Sequence, residues 1–124
     1  MRIANVGLIV KDLEGARAFF EDYFGAQVHA RYDEDWGYRS YIMRLDEGAK
    51  IELISKPTVR DVPKDKDDAG WVHICVKAES KERFEGVLAR AKADGYEILY
   101  EPATVGGTEF RAIMLEDNII AVNY

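Results

Sequence analysis

Two stretches of this chain are nearly the same stretch written twice. Asn5-Val6-Gly7-Leu8-Ile9-Val10-Lys11-Asp12 and His73-Ile74-Cys75-Val76-Lys77-Ala78-Glu79-Ser80 stand 68 residues apart. Each opens on a polar residue, runs through apolar ones and closes on a residue suited to cap a helix. The correspondence continues beyond them. Glu14 matches Glu82, Phe20 matches Leu88, Gly25 matches Gly95 after a small gap, and Ile51-Glu52-Leu53 matches Ile120-Ala121-Val122. A duplicated chain is expected to act where equivalent positions of its halves converge.

The 124 residues suffice for one compact unit, or for two half-units that share a core. At this size roughly two thirds of the unfolded surface is buried on folding, so neither disulfide nor metal is needed to fold. Cys75 is the only cysteine. It cannot pair within the chain, which suits a reducing, cytoplasmic setting, and its place in an apolar strand reads as a small buried hydrophobe. A net charge of −6, without a Lys/Arg stripe, argues against a nucleic-acid partner. Ile3–Val10 is too short to span a bilayer, so no membrane partner is expected.

Periodicity lays out the elements. Ile3–Val10 reads as a strand, with Asp12 as N-cap. Leu13, Ala16, Phe20, Tyr23 and Phe24 then fall three and four apart on one face of a helix that Gly25 ends. Strands follow at Gln27–Arg31, Tyr38–Leu45 and Lys50–Ser55, the last two joined antiparallel by Asp46-Glu47-Gly48. Residues 56–70, with two prolines and many Lys and Asp, form a solvated connector between modules 1–55 and 71–124. The second module repeats the order: strand Trp71–Ala78, cap Ser80 and a helix near 81–94 with Phe84, Val87, Leu88 and Ala91 on one face. Strands near Tyr96–Glu101, Thr108–Leu115 and Ile119–Asn123 complete it, with Gly106-Gly107 as a hairpin turn and Glu116-Asp117-Asn118 as the last turn.

The expected architecture is therefore α+β: two tandem βαβββ modules forming a curved eight-stranded cup with helices on the outer face. A ferredoxin-like βαββαβ unit is the alternative, and it needs fewer strands than both halves supply.

Val6-Gly7-Leu8-Ile9-Val10-Lys11-Asp12-Leu13-Glu14, Phe19-Phe20, Phe24-Gly25, Ile51-Glu52-Leu53-Ile54, His73-Ile74, Ala93-Asp94-Gly95-Tyr96, Glu101-Pro102 and Leu115-Glu116-Asp117-Asn118 carry a resemblance to a known family. In this order they resemble the vicinal oxygen chelate superfamily of glyoxalase I, bleomycin- and fosfomycin-resistance proteins and extradiol dioxygenases. The resemblance implies four metal-ligand positions, on the first, fourth, fifth and eighth strands. In this chain they hold Asn5, Glu52, His73 and Ala121. Glu52 and His73 match the family's ligands; Asn5 and Ala121 do not.

These departures bear on chemistry. An Asn carbonyl is a weak donor to Zn or Ni, and the loss of the second carboxylate removes charge that would offset a cation. In glyoxalase I the carboxylate at the position of Ala121 moves a proton between adjacent carbons, and a methyl group accepts none. Glu109 is the nearest imaginable replacement, without a spacing argument for it. The resemblance thus implies a glyoxalase- or bleomycin-resistance-like domain that binds a small organic molecule in the cup between modules. No tightly bound cofactor is expected. The alternative is a lyase or isomerase of glyoxalase type, holding Zn, Ni, Mn or Fe through Glu52 and His73, and a weaker one is a non-enzymatic interaction module. Trp71, Arg39, Tyr41 and Arg111 are the ligand-binding candidates: Trp71 lies two residues before His73, and the arginines could meet an anion. Trp36 and Tyr38 complete an aromatic group whose bland reading is core packing, and His29 reads as a surface or supporting residue. The superfamily's habit of dimerising implies a homodimer.

Overall fold

The computed structural model describes residues 1–63, 67–105 and 108–124. It contains two compact units, Met1–Arg60 and Asp61–Tyr124. The Gly106-Gly107 hairpin expectation lies outside the described residues.

In the first unit the order is β1 (Asn5–Ile9), α1 (Leu13–Phe24), β2 (Gln27–Asp33), β3 (Arg39–Arg44) and β4 (Lys50–Ser55). The strands form one sheet in the order β1-β4-β3-β2. Chain direction explains this arrangement. The crossover through α1 carries the chain to the far edge, and two antiparallel connections bring it back beside β1, parallel to it. Asp46 Oδ1 accepts from the Gly48 N–H at 2.6 Å and so tightens the β3–β4 connection.

The second unit repeats the plan with β5 (His73–Lys77), α2 (Lys81–Ala93), β6 (Ile98–Val105), β7 (Thr108–Leu115) and β8 (Asn118–Asn123). Its sheet order is β5-β8-β7-β6, with β5 parallel to β8. The two βαβββ modules expected from the repeat are both present. β1 and β5 are shorter than their apolar runs because each is an edge strand, and its ladder ends where its only partner ends.

Alternation along the strands sorts the core. Val6 and Leu8 pair with Ile51 and Leu53, and these share a face with Tyr41 and Met43. Against that face α1 buries Leu13, Ala16, Phe19, Phe20 and Tyr23. Phe19, absent from the expected stripe, is buried in place of Phe24; its ring meets those of Phe20 at 5.4 Å and Tyr23 at 4.8 Å. In the second unit Ile113 and Ile120 pair on one face, with Val122 two residues further along β8. Tyr124, in phase with them, packs against Phe84 of α2 with ring centres 5.1 Å apart and marks that face as the helix side. No helix among the described residues is long and apolar enough to cross a membrane.

The caps fall where the sequence asks for them. Asp12 accepts from the Gly15 N–H at 2.9 Å and Ser80 from the Arg83 N–H at 3.1 Å. Gly25 closes α1 in the left-handed region at φ 68°, its N–H reaching the Glu21 carbonyl at 3.0 Å while the Ala26 N–H reaches the Phe20 carbonyl at 3.1 Å. A Cβ there meets no neighbour, so its cost is conformational alone. Gly25→Ala is expected to lower stability by about 1–2 kcal/mol without changing the fold, read from the urea midpoint and an unaltered far-ultraviolet spectrum.

Candidate functional site

The face of the first sheet opposite α1 carries the polar groups. In the β1–β4 ladder Gly7 stands across from Glu52 and Asn5 across from Lys50, so Asn5, Gly7, Ile9, Lys50, Glu52 and Ile54 share that face. Ile42, the partner of Glu52 on β3, joins them. Tyr38, two residues before Ser40 and four before Ile42, projects to the same side.

Glu52 is the centre of this cluster. Asn5 Nδ2 donates to one of its carboxylate oxygens at 2.9 Å, and the Tyr38 hydroxyl donates to the other at 2.9 Å. Both oxygens are thus engaged by neutral donors of the chain itself. Burial raises the pKa of the Tyr38 phenol above its ordinary value of 10.0, and the bond to Glu52 adds to the rise. The Ser40 hydroxyl, fully buried, lies close enough to oppose that rise without completing a hydrogen bond. Tyr38 therefore remains a protonated donor at neutral pH. The ring of Trp36 lies 5.6 Å from that of Tyr38 and is tilted by 37°.

The other first-module candidates lie elsewhere. Tyr41 is three residues from Tyr38, an odd step on an extended strand, so it pairs with Leu53 and faces α1. Its hydroxyl donates to Glu14 at 2.8 Å, and the guanidiniums of Arg17 and Arg31 each lie 5.7 Å from its ring centre. Arg39, in phase with Tyr41, pairs with Ser55 on that same side. His29 occupies the bulge between Val28 and Ala30 and is exposed.

In the second module His73 begins β5 across from Ile119, and Cys75 stands across from Ala121. These residues occupy the face turned away from α2, the counterpart of the Glu52 face. Ala121 is buried beside Ala112 and brings no donor atom. Cys75, expected to be buried, is exposed, because it lies on an edge strand and faces away from the helix that would cover it. Trp71 precedes β5 and is 73% exposed, so it lies outside the strand in which the sequence suggested it. Arg111 pairs with Val122 on the α2 side and donates to the Phe110 carbonyl at 2.8 Å. Among the described residues no three His, Cys, Asp or Glu side chains gather as a metal-binding group.

Sequence reasoning missed the part played by Tyr38 and Trp36. Tyr38 has the phase of Ile42, the residue paired with Glu52, but only the β3–β4 register turns that phase into contact.

Each unit is a βαβββ module, with the Glu52 carboxylate on the sheet face turned away from α1 in the first and His73 at the start of β5 in the second. The profile of the Glyoxalase/Bleomycin resistance protein/Dioxygenase superfamily matches residues 2–118, and the chain belongs to that superfamily. Sequence comparison with curated proteins finds no match. Among solved structures, a glyoxalase family protein from Bacillus cereus is similar, with a TM-score of 0.82 at 18% identity over 99% of this chain and 93% of that one. Glyoxalase I of Leishmania major has a TM-score of 0.76 at 18% identity, over 98% of this chain and 85% of that one. The fosfomycin resistance protein FosX of Listeria monocytogenes, crystallised as a mutant with Mn(II) and 1S,2S-dihydroxypropylphosphonic acid, has a TM-score of 0.73 at 19% identity, over 97% and 89%. At these identities the likeness is one of fold.

The Tyr41–Glu14 bond generates a pH prediction. Glu14 is held below its ordinary pKa of 4.5, first by the Tyr41 hydroxyl and then by Arg17. A carboxyl lowered on folding stabilises above the unfolded value and loses that contribution as pH falls through the folded one. Tyr41→Phe should therefore cost about 1 kcal/mol at pH 7, discounted because the Glu14 side chain is 54% exposed. The difference from wild type should shrink once the pH falls well below 4.5, as urea melts at the two pH values will read.

Proposed function

We propose that this chain is a binding domain for a small, partly apolar organic molecule, held on the Glu52 face, and that its inherited metal position no longer retains a divalent ion. The observation carrying this reading is the engagement of both Glu52 oxygens by Asn5 and Tyr38. A metal would have to share these oxygens with two donors already in place, and it would gain a weak amide ligand rather than an imidazole at Asn5. The position matching Glu52 in the second module is Ala121, without any donor. The residues present do not fit a resident Zn, Ni, Mn or Fe ion. Proton transfer of the glyoxalase I kind also lacks its base at Ala121.

The rival reading, a metal-dependent lyase or isomerase, draws on the retention of Glu52 and His73 and on the Mn(II) named for the FosX structure. Metal analysis of protein purified without chelator separates the two. The binding reading expects substoichiometric metal, no change in metal content in Glu52→Ala or His73→Ala, and a gain on Ala121→Glu. One tightly held ion per chain, lost in those two variants, would overturn it.

Ligand binding has its own test. A compound present at about 100 times its Kd stabilises the folded chain by about 2.7 kcal/mol. A thermal-shift panel of small organic molecules should therefore contain stabilising members whose effect weakens in Glu52→Ala. A panel without any such member would favour the interaction-module reading. A cytoplasmic homodimer belongs to this proposal. The lone cysteine supports the compartment, and exposed Ile9, Val28 and Tyr32 offer apolar surface for a second copy. Light scattering should give twice the chain mass.

A further inference from the structure

The geometry points to a small organic cation, of the alkylammonium kind, as the ligand class of the Glu52 face, received by the Trp36 and Tyr38 rings beside the Glu52 carboxylate. This rests on the small-molecule reading above and narrows it.

Three observations carry the inference. The first is an aromatic pair built to stay open. Trp36 is 60% exposed, and its ring sits 5.6 Å from that of Tyr38. The turn that presents the pair is fixed, for Glu34 N–H donates to the Tyr38 carbonyl at 2.8 Å and Gly37 N–H to the Glu34 carbonyl at 2.9 Å. Gly37, between the two rings, has φ 96°, and a Cβ there would come within 2.7 Å of Pro57 Cγ. Pro57 thus closes the back of the turn, and the backbone that presents both rings is set before a ligand arrives.

The second is the carboxylate tied to this pair. The Tyr38 hydroxyl bonds Glu52, so the aromatic surface and the charge are held as one unit. Among the described residues no Lys, Arg or His forms an ion pair with Glu52, although Lys50 lies two residues along the same strand face. The carboxylate's hydrogen bonds come from neutral groups, which leave its charge in place. A hydroxylated ligand would have to reach one of the lone pairs that Asn5 and Tyr38 leave open, whereas a cation without N–H groups needs only the field. The third is the surrounding charge. Asp33, Glu34 and Asp35 precede Trp36, with Asp33 paired to Arg31, and the chain carries −6 overall. Ring faces and a nearby carboxylate both attract a weakly hydrated cation, and net negative charge raises its local concentration.

The test compares tetramethylammonium chloride with tert-butanol, its uncharged near-isostere, in Trp71→Phe protein, where Trp36 is the only tryptophan. Sodium chloride at equal concentration controls for ionic strength. Tetramethylammonium should shift the Trp36 indole N–H and the Asn5 side-chain amide signals saturably, and tert-butanol should not. Glu52→Gln should weaken the effect roughly 2- to 10-fold. Trp36→Leu should remove the Asn5 shift; this exposed position is not needed for folding, which the thermal melt of the variant checks. Equal responses to the two probes would overturn the cation and leave an apolar-ligand site standing. No response to either, or one untouched by Glu52→Gln and Trp36→Leu, would overturn the inference, while the broader thermal-shift panel decides the small-molecule reading independently.

Discussion

The parallel ladder between β1 and β4 is the constraint on which the first module's site depends. It puts Gly7 across from Glu52 and brings the Asn5 amide within 2.9 Å of the carboxylate. The same ladder sends Val6, Leu8, Ile51 and Leu53 to α1. A slip of one residue would drive Glu52 beneath that helix and turn Leu53 out to solvent, exchanging an apolar contact for a buried charge. The hydrophobic face therefore fixes the register, and the register places the polar face.

The second module shows what this division of labour allows. Its ladder is the same, with Cys75 across from Ala121, and its helix side is kept apolar by Ile113, Ile120 and Val122. Its other face has diverged, with Ala121 at the counterpart of Glu52. Nothing in the packing against α2 depends on the identity of residue 121, because that side chain points away from the helix. Duplicated halves of this kind keep their frame through one set of alternating positions and are free to change chemistry through the other.

Within the first module, two tyrosines three residues apart show how far sequence goes. Tyr38 and Tyr41 look alike as candidates, being aromatic, near a strand and near Glu52 in the motif. Alternation alone states that they face opposite ways. It does not state which of them meets Glu52, and that is set by the pairing of Ile42 with Glu52 across the β3–β4 hairpin. Tyr41 instead completes a network with Glu14, Arg17 and Arg31 that ties α1 to the sheet. The Cys75 expectation failed for a related reason. An apolar run reads as buried, yet an edge strand with its helix on one side exposes the alternate residues of that run.

The sequence by itself determined the two βαβββ modules, their caps at Asp12 and Ser80, most of each helix-facing stripe (Phe19 excepted) and the family, because these rest on local periodicity, on turn chemistry and on a repeat visible along the chain. It also placed Glu52 and Ala121 at matching positions of the two halves, and Asn5 and His73 likewise. Only the tertiary structure decided that Glu52 is held by Asn5 and Tyr38, that Trp36 stands open beside them and that Tyr41 serves the core. Those facts follow from which strands pair and in what register, and pairing across 47 residues between Asn5 and Glu52 leaves no trace in any local pattern.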